Sequence, residues 1–190
     1  MNLKGGTGKT SAIIHLAAAI KASGQSVLIT DSDPQSDALN WADALGWDAI
    51  SLPTKSIHKQ KWLSDSHDHV LIDTPPGDLG IVASAMRAAD LIVVPVQPTG
   101  GDFAQYAETA SLIEEIQATK GNAAAALLTR VVKKTVAATQ IRAALQPFEI
   151  PVLATEIPQK QLFAMAYGKL PAADATYESL LAELRGIAHE

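Results

Sequence analysis

Glycine, lysine and hydroxyl residues near the start of the chain have the spacing of a phosphate-binding loop. The segment GTGKTS covers residues 6–11, and a helix-like segment follows it. Glycines let the backbone bend tightly, and a helix N-terminus carries partial positive charge. The pattern predicts that Lys9 reaches the outer phosphates of a nucleotide, that backbone N–H groups of residues 6–10 hold phosphate oxygens, and that Thr10 ligates Mg²⁺. A glycine-rich turn without a ligand is the alternative.

Carboxylates follow two later apolar runs. In DSDPQ, residues 31–35, two aspartates come just after the run VLIT, and the proline prevents the strand from continuing. In HVLIDTPPG, residues 69–77, an apolar run ends at Asp73, which is the candidate for the metal side of the site. Phosphoryl transfer needs an oriented nucleophile and neutralised charge, so few carboxylates suffice. The alternatives are an ordinary Asp-Pro turn and an aspartate that merely caps the next turn.

The elements that must position these residues alternate between strand and helix. Continuous apolar runs, typical of strands covered on both faces, lie at 27–30, 69–73, 91–96, 124–130 and 152–158. Helix-like segments separate them, such as residues 10–24, where Gly24 stands at the position of a C-terminal cap. The pattern predicts a doubly wound α/β fold with a mostly parallel sheet and a ligand site at the carboxyl ends of the strands.

Composition narrows the class of protein. The 190 residues contain no linker-like stretch, which predicts one domain over 1–190. The chain has Cys 0, which excludes disulfides, thiolate zinc sites and iron–sulfur clusters. No apolar run approaches the roughly 18 residues of a membrane span. The net charge of -5 means that DNA binding would need a local basic patch.

The phosphate loop departs from the standard pattern in a way that indicates a family. The chain has Leu3 where the standard pattern has glycine, and it has a second lysine, Lys4, in KGGTGKT. This segment resembles the deviant Walker A motif of the ParA/MinD family of P-loop ATPases. The resemblance implies that Lys4 reaches across a nucleotide-sandwich dimer to the phosphates bound by the other subunit. Such a cation would stabilise charge on the transferring phosphoryl group. A solvated loop lysine is the alternative.

The resemblance also implies roles for residues along the chain. DSDPQ is similar to the family's switch I, in which Asp33 would position the attacking water and Asp31 would lie nearer the magnesium shell. The segment ending at Gly77 is similar to switch II, with Gly77 as a backbone contact to phosphate. LLTR at 127–130 matches a strand end that flanks adenine, although an arginine after a strand is more often solvated. The implied nucleotide-binding set is Gly5, Gly6, Thr7, Gly8, Lys9, Thr10, Ser11, Gly77, Thr129 and Arg130.

The closest resemblance is to the small plasmid-partition ParA type, such as ParF. It implies an ATP-dependent DNA-partition ATPase in the bacterial cytoplasm, associated with the nucleoid. MgATP would drive dimerisation and nonspecific DNA binding, and a ParB-like centromere-binding protein would stimulate hydrolysis. Binding by a dimer would depend steeply on salt. The candidate DNA contacts are Lys133, Lys134, Arg142, Lys160 and Lys169, and a solvated basic face is the alternative.

Two other functions stay open. One is a MinD-like or other cargo-positioning ATPase. The C-terminal segment ATYESLLAELRGIAHE is acidic, so no stable membrane anchor is expected. The other is an ATP-dependent ligase of the dethiobiotin-synthetase kind, which lacks the second lysine as a rule.

The strand that should precede a phosphate loop is short in this sequence. A first strand needs roughly five apolar residues, and only MNL precedes the loop. We expect that the recorded start is an internal methionine and that further strand residues precede it in the natural gene. The alternative is a short stub beside a gap that the sheet tolerates.

Overall fold

Strands and helices alternate through the part of the chain that this computed structural model describes, which is residue 1 with residues 5–99, 102–132 and 135–188. The strands are β1 (Val27–Asp31), β2 (Ala49–Ser51), β3 (His69–Asp73), β4 (Leu91–Val96), β5 (Ala123–Val131) and β6 (Val152–Pro158). The helices are α1 (Lys9–Ala22), α2 (Asp37–Ala44), α3 (Leu79–Ala88), α4 (Asp102–Lys120), α5 (Val136–Leu145), α6 (Gln161–Ala164) and α7 (Ala175–Ala188). Short 3₁₀ turns lie at Ile57–Lys59, Lys61–Asp65 and Gln146–Phe148.

The strands form two parallel three-stranded sheets, in the orders β2-β1-β3 and β4-β5-β6. The register of the first sheet aligns Asp31 with Asp73, so both carboxylates lie at the carboxyl ends of neighbouring strands. In the second sheet Val96 is aligned with Leu128. The predicted α/β class with parallel strands and flanking helices is confirmed. The sequence did not predict β2, which has only three residues and none that is fully buried.

Helix α1 carries the phosphate-loop segment and packs on the first sheet. Its residues Ile14, Ala17 and Ile20 are buried, and they join a core cluster with Val27 and Ile29 of β1. Burial of an isoleucine side chain stabilises the fold by about 1.5–3 kcal/mol. Gly24 has a φ of 83° just beyond the helix, as its predicted capping position requires. The start of α1 is therefore fixed relative to the ends of β1 and β3.

Met1 lies between the two sheets. Its side chain packs against core residues of both sheets, and its amine donates a hydrogen bond to the carbonyl oxygen of Val93 in β4. Burial, followed by the charge of Lys9, lowers the pKa of this amine to about 5. Among the described residues no strand ladder joins β3 to β4. The expectation of a longer first strand stays a prediction.

Within the described ranges, every helix is too short or too polar to cross a membrane.

Candidate functional site

The glycine-rich loop adopts the backbone conformation that its sequence predicts. Gly6 and Gly8 have φ values of 77° and 87°, in the left-handed region that residues with a Cβ rarely adopt. Gly8 is the N-cap of α1, and Lys9 is the first helical residue. The loop therefore delivers Lys9, Thr10 and Ser11 to the positive end of the helix.

Two side chains from the second sheet hold the loop by its carbonyl groups. The Nε2 atom of Gln97, just after β4, donates to the Gly6 carbonyl at 2.6 Å. The hydroxyl of Thr129 in β5 donates to the Thr7 carbonyl at 2.9 Å. Thr129 was expected to flank adenine; its hydroxyl ties β5 to the phosphate loop, and its role beside the base stays a prediction. Gln97 was not among the predicted site residues.

Thr10 and Asp73 form the pair that could hold a magnesium ion. Thr10 Oγ1 donates to Asp73 Oδ2 at 2.6 Å, and Asp73 is only 2% exposed. Two neighbouring ligands of octahedral Mg²⁺ lie about 3 Å apart, so these oxygens fit such an ion. The described residues contain no group of three or more acidic, histidine or cysteine side chains that could hold a metal by themselves. Mg²⁺ commonly uses one or two protein ligands together with substrate phosphates.

Lys9 lies close enough to Asp73 and to Asp33 for both carboxylates to act on it electrostatically. Burial lowers the pKa of the Lys9 amine, and the carboxylates of Asp73 and Asp33 oppose that shift. Burial raises the pKa of Asp73 to about 6, although the hydrogen bond from Thr10 opposes the shift. Lys9 is therefore coupled electrostatically to both carboxylates, and the assignment of these three residues to one nucleotide site stays a prediction.

The two aspartates of switch I have different surroundings. Asp31 is 0% exposed, and its carboxylate accepts hydrogen bonds from the backbone N–H groups of Asp33 and Leu39, both at 2.9 Å. Asp33 is half-buried, and its Oδ1 accepts from the N–H of Gln35 at 3.0 Å. Asp31 was expected near the magnesium shell, which stays a prediction; in the structure both of its oxygens have backbone partners.

The segment after β3 lies against the phosphate loop. A methyl group at Gly5 would be 3.8 Å from the Cβ atom of Pro76, which is ordinary van der Waals contact. Gly77 has a φ of 78°, so glycine is favoured at this expected phosphate contact.

A cavity of about 450 Å³ opens beside the loop, on the side of β5 and β6. Four aromatic residues, Trp41, Phe163, Tyr167 and Tyr177, form part of its wall. The predicted residues Thr10, Ser11, Thr129 and Arg130 line it as well, together with Lys160. Sequence reasoning missed the aromatic wall, because its members lie far apart along the chain.

Beneath the cavity His15 supports the wall. Its ring stacks on Tyr177 with centroids 4.9 Å apart, and it meets Phe163 edge-on at 5.0 Å. Nδ1 donates to the Ser11 carbonyl at 2.8 Å, and burial lowers the pKa of the ring. A neutral His15 thus joins the phosphate-loop helix to the aromatic wall.

The residues expected to contact DNA differ in their surroundings: two form ion pairs and one is exposed. Lys160 forms an ion pair with Asp174 at 2.7 Å and lines the cavity. Arg142 forms an ion pair with Glu156 at 2.8 Å and donates to the Leu153 carbonyl at 2.9 Å. Lys169 is exposed. Lys133, Lys134 and the second loop lysine, Lys4, lie outside the described residues.

Comparisons with known proteins agree with this geometry. Residues 1–171 match the family described as the CobQ/CobB/MinD/ParA nucleotide binding domain, CbiA. The chain is 35% identical over 136 residues to maintenance of carboxysome distribution protein A of Gloeobacter kilaueensis, in a match that covers 69% of this chain and 61% of that protein. It is 27% identical over 214 aligned positions to the chromosome-partitioning ATPase Soj of Thermus thermophilus, covering 92% of this chain and 86% of Soj.

The fold also matches that of solved structures. The ATP complex of a McdA variant from Cyanothece superposes with a TM-score of 0.73 at 16% identity, covering 100% of this chain and 93% of that one. This chain spans less than two thirds of the length of the Gloeobacter kilaueensis protein. The family match over 171 of the 190 residues is decisive, and the chain belongs to the CobQ/CobB/MinD/ParA family of nucleotide-binding domains.

Proposed function

We propose that this chain is a magnesium-dependent ATPase that uses ATP to position a large cargo on DNA. The observation that carries the proposal is the contact of Thr10 Oγ1 with Asp73 Oδ2 at 2.6 Å beside the phosphate loop, with Lys9 as the first residue of α1 and Asp33 close enough to act on the pKa of Lys9. These groups supply a cation for the phosphates, a carboxylate for the attacking water and a carboxylate for the metal side.

The residues divide the chemistry between them. Lys9 binds the outer phosphates, and Asp33 orients the attacking water and accepts its hydrogen bond. Thr10 and Asp73 hold the Mg²⁺ ion, which neutralises phosphate charge when it is bound. The cavity beside the loop holds the base against its aromatic wall. Lys4 of a second copy completes the site in a sandwich dimer, so hydrolysis depends on dimerisation.

The names of two relatives suggest the kind of cargo. One relative is named for carboxysome distribution and the other for chromosome partitioning. Both names describe the placement of a large body in the cell. We propose that shared activity for this chain, with nonspecific DNA as the track and a cargo-bound, ParB-like protein as the stimulating partner. Plasmid partition of the ParF kind, which the sequence resemblance suggests, is a narrower form of the same proposal.

Two measurements on the purified chain test the proposal. Phosphate release from MgATP should occur without any second small substrate, which separates an ATPase from a ligase. Co-sedimentation with random-sequence DNA should be strong with AMPPNP, weak with ADP, and reduced steeply by salt. Binding to anionic lipid vesicles in place of DNA would favour a MinD-like function. Failure to release phosphate at any protein concentration, with or without DNA, would contradict the ATPase assignment.

A further inference from the structure

The buried carboxylate of Asp31 organises the segment that carries Asp33. Asp31 is the last residue of β1 and has no exposed surface. Its Oδ1 accepts from the Asp33 N–H, and its Oδ2 accepts from the Leu39 N–H, both at 2.9 Å. One side chain therefore spans the loop from the end of β1 to the first turn of α2.

This contact replaces the ordinary N-cap of α2. Ser36 occupies the N-cap position, but its side chain makes no capping hydrogen bond. The free N–H groups of a helix's first turn need acceptors, and a carboxylate is a strong one. Asp31 supplies that acceptor from the neighbouring strand, so the start of α2 is fixed to the sheet.

Asp33 is placed by the same arrangement. Its N–H is held by Asp31, and its own Oδ1 receives the Gln35 N–H at 3.0 Å. The preceding residue, Ser32, donates its hydroxyl to the Asp73 carbonyl oxygen. Both flanks of Asp33 are thus attached to groups at the ends of β1 and β3.

We propose that Asp31 is a positioning residue for Asp33, and that it does not ligate the metal. This inference deepens the proposed function and rests on it. Each Asp31 oxygen keeps a second lone pair, but a metal bound there would draw electron density from the oxygens that accept the backbone N–H groups and would weaken the attachment of α2 to the sheet. The hydroxyl of Thr10 and the carboxylate of Asp73 already form a ligand pair without Asp31.

Helix α2 extends this arrangement to the base side of the site. Trp41 Nε1 donates to the Lys169 carbonyl at 2.9 Å, and the Tyr167 hydroxyl contacts Asp37 Oδ1 at 3.3 Å. Trp41 and Tyr167 both line the cavity. Asp31 therefore positions one end of a helix that also contributes Trp41 to the cavity wall.

The test compares Asp31→Asn with Asp73→Asn and with the control Asp43→Asn, which changes an exposed aspartate on α2. For Asp31→Asn we expect kcat for ATP to fall roughly 10- to 100-fold, because a small displacement of a catalytic group has an effect of that order. KM for ATP and the Mg²⁺ affinity of the AMPPNP complex should stay within about threefold of wild type. Asp73→Asn should weaken Mg²⁺ affinity by roughly 10- to 100-fold, and Asp43→Asn should match wild type.

Amide hydrogen exchange gives a readout that does not depend on turnover. In the wild-type protein the Asp33 and Leu39 amides should stay protected when Mg²⁺ and AMPPNP bind, whereas direct coordination of the metal by Asp31 would weaken their hydrogen bonds and speed their exchange. The same amides should exchange faster in Asp31→Asn. The wild-type part of this measurement requires neither that Asp31→Asn folds nor that the wild type hydrolyses ATP. A wild type that hydrolyses no ATP would count against the proposed function and not against this inference. Loss of Mg²⁺ affinity in Asp31→Asn equal to that in Asp73→Asn, or an unchanged kcat, would overturn the inference.

Discussion

Thr10 Oγ1 and Asp73 Oδ2 are 2.6 Å apart, which joins the first turn of α1 directly to the end of β3. The two residues are 63 positions apart in sequence. In the absence of metal the hydroxyl hydrogen lies between the two oxygens. A metal ion would have to displace that hydrogen bond and would need Asp73 in its ionised form.

The raised pKa of Asp73 predicts a pH dependence of metal binding. Burial raises this pKa to about 6, so protons compete with Mg²⁺ below that value. We expect the Mg²⁺ affinity of the AMPPNP complex to fall by about tenfold per pH unit below about pH 6, relative to Asp73→Asn at the same pH. Calorimetric titration with Mg²⁺ between about pH 5 and 8 measures this affinity. The Asn variant corrects for titration of the nucleotide phosphate, and parallel profiles of the two proteins would contradict the prediction.

The same shift has a consequence for stability without metal. Because the folded-state pKa of Asp73 lies above the ordinary value of about 3.9, the folded protein binds this proton more tightly than the unfolded chain. The contribution of Asp73 to stability is therefore fully present below about pH 4 and is lost as the pH rises to about 6. In Asp73→Asn the free energy of unfolding, measured with urea, should not show this loss between about pH 4 and 6.

The two loop lysines should have separable roles. Lys9→Ala should abolish nucleotide binding, because it removes the main cation from the phosphates. Lys4→Ala should leave nucleotide binding to the monomer largely intact and remove dimer-dependent hydrolysis. Fluorescent-nucleotide titration and phosphate release at several protein concentrations distinguish the two. If Lys4→Ala weakened binding to the monomer as much as Lys9→Ala does, the cross-subunit role would be wrong.

Asp33→Ala should separate nucleotide binding from turnover. The phosphate loop and the Thr10–Asp73 pair remain in this variant, so MgATP binding and dimerisation should be preserved while hydrolysis slows by about 100-fold or more. The expected result is a dimer that stays on DNA in the presence of ATP, which size-exclusion chromatography and DNA co-sedimentation would detect. A variant that no longer binds nucleotide would indicate that Asp33 has a structural role.

The sequence predicted the residues that act through local patterns and missed those that depend on tertiary contacts. The five predicted strands and the phosphate-loop helix could be predicted because buried apolar runs and glycine spacing are local features of the sequence. Gln97 and the aromatic wall were not, because nothing near Trp41 in the sequence indicates that it meets Tyr167. Lys160 was assigned to DNA for its charge alone, and its partner Asp174 lies 14 residues away.

Lys160 should affect nucleotide binding more than DNA binding. Although burial raises the pKa of Asp174, hydrogen bonds from Lys160 and Thr176 lower it to about 2, so this carboxylate is ionised at neutral pH beside Lys160. Lys160→Ala removes a cation from the cavity rim and should weaken AMPPNP binding by about 1 kcal/mol, or roughly fivefold. Lys169→Ala, an exposed lysine outside the cavity lining, is the matched control and should not change nucleotide affinity.

Charge reversal at Lys133 and Lys134 tests the other candidate DNA contacts. The double variant Lys133→Glu, Lys134→Glu should weaken DNA co-sedimentation and reduce its salt dependence without changing basal ATP hydrolysis. Arg142→Glu is a poor test, because it would place a second carboxylate beside Glu156 and destabilise the fold. Unchanged DNA affinity at low salt in the double variant would exclude Lys133 and Lys134 as DNA contacts. A loss of DNA binding in Lys160→Ala, with normal nucleotide affinity, would instead assign Lys160 to DNA.

Ser36 is a site where the loop before α2 can be stabilised by a single change. Its φ is 57°, a left-handed conformation that costs about 1 kcal/mol or more for a residue with a Cβ, and its side chain makes no capping hydrogen bond in return. Ser36→Gly should raise the free energy of unfolding by about 0.5–1 kcal/mol, since relief of that strain exceeds the greater flexibility of glycine in the unfolded chain. Ser36→Ala is the matched control: it removes the same hydroxyl but keeps the Cβ, and should give no gain. Urea unfolding of the three proteins decides the matter, and equal stabilities of the glycine and alanine variants would show that the backbone at Ser36 is not strained.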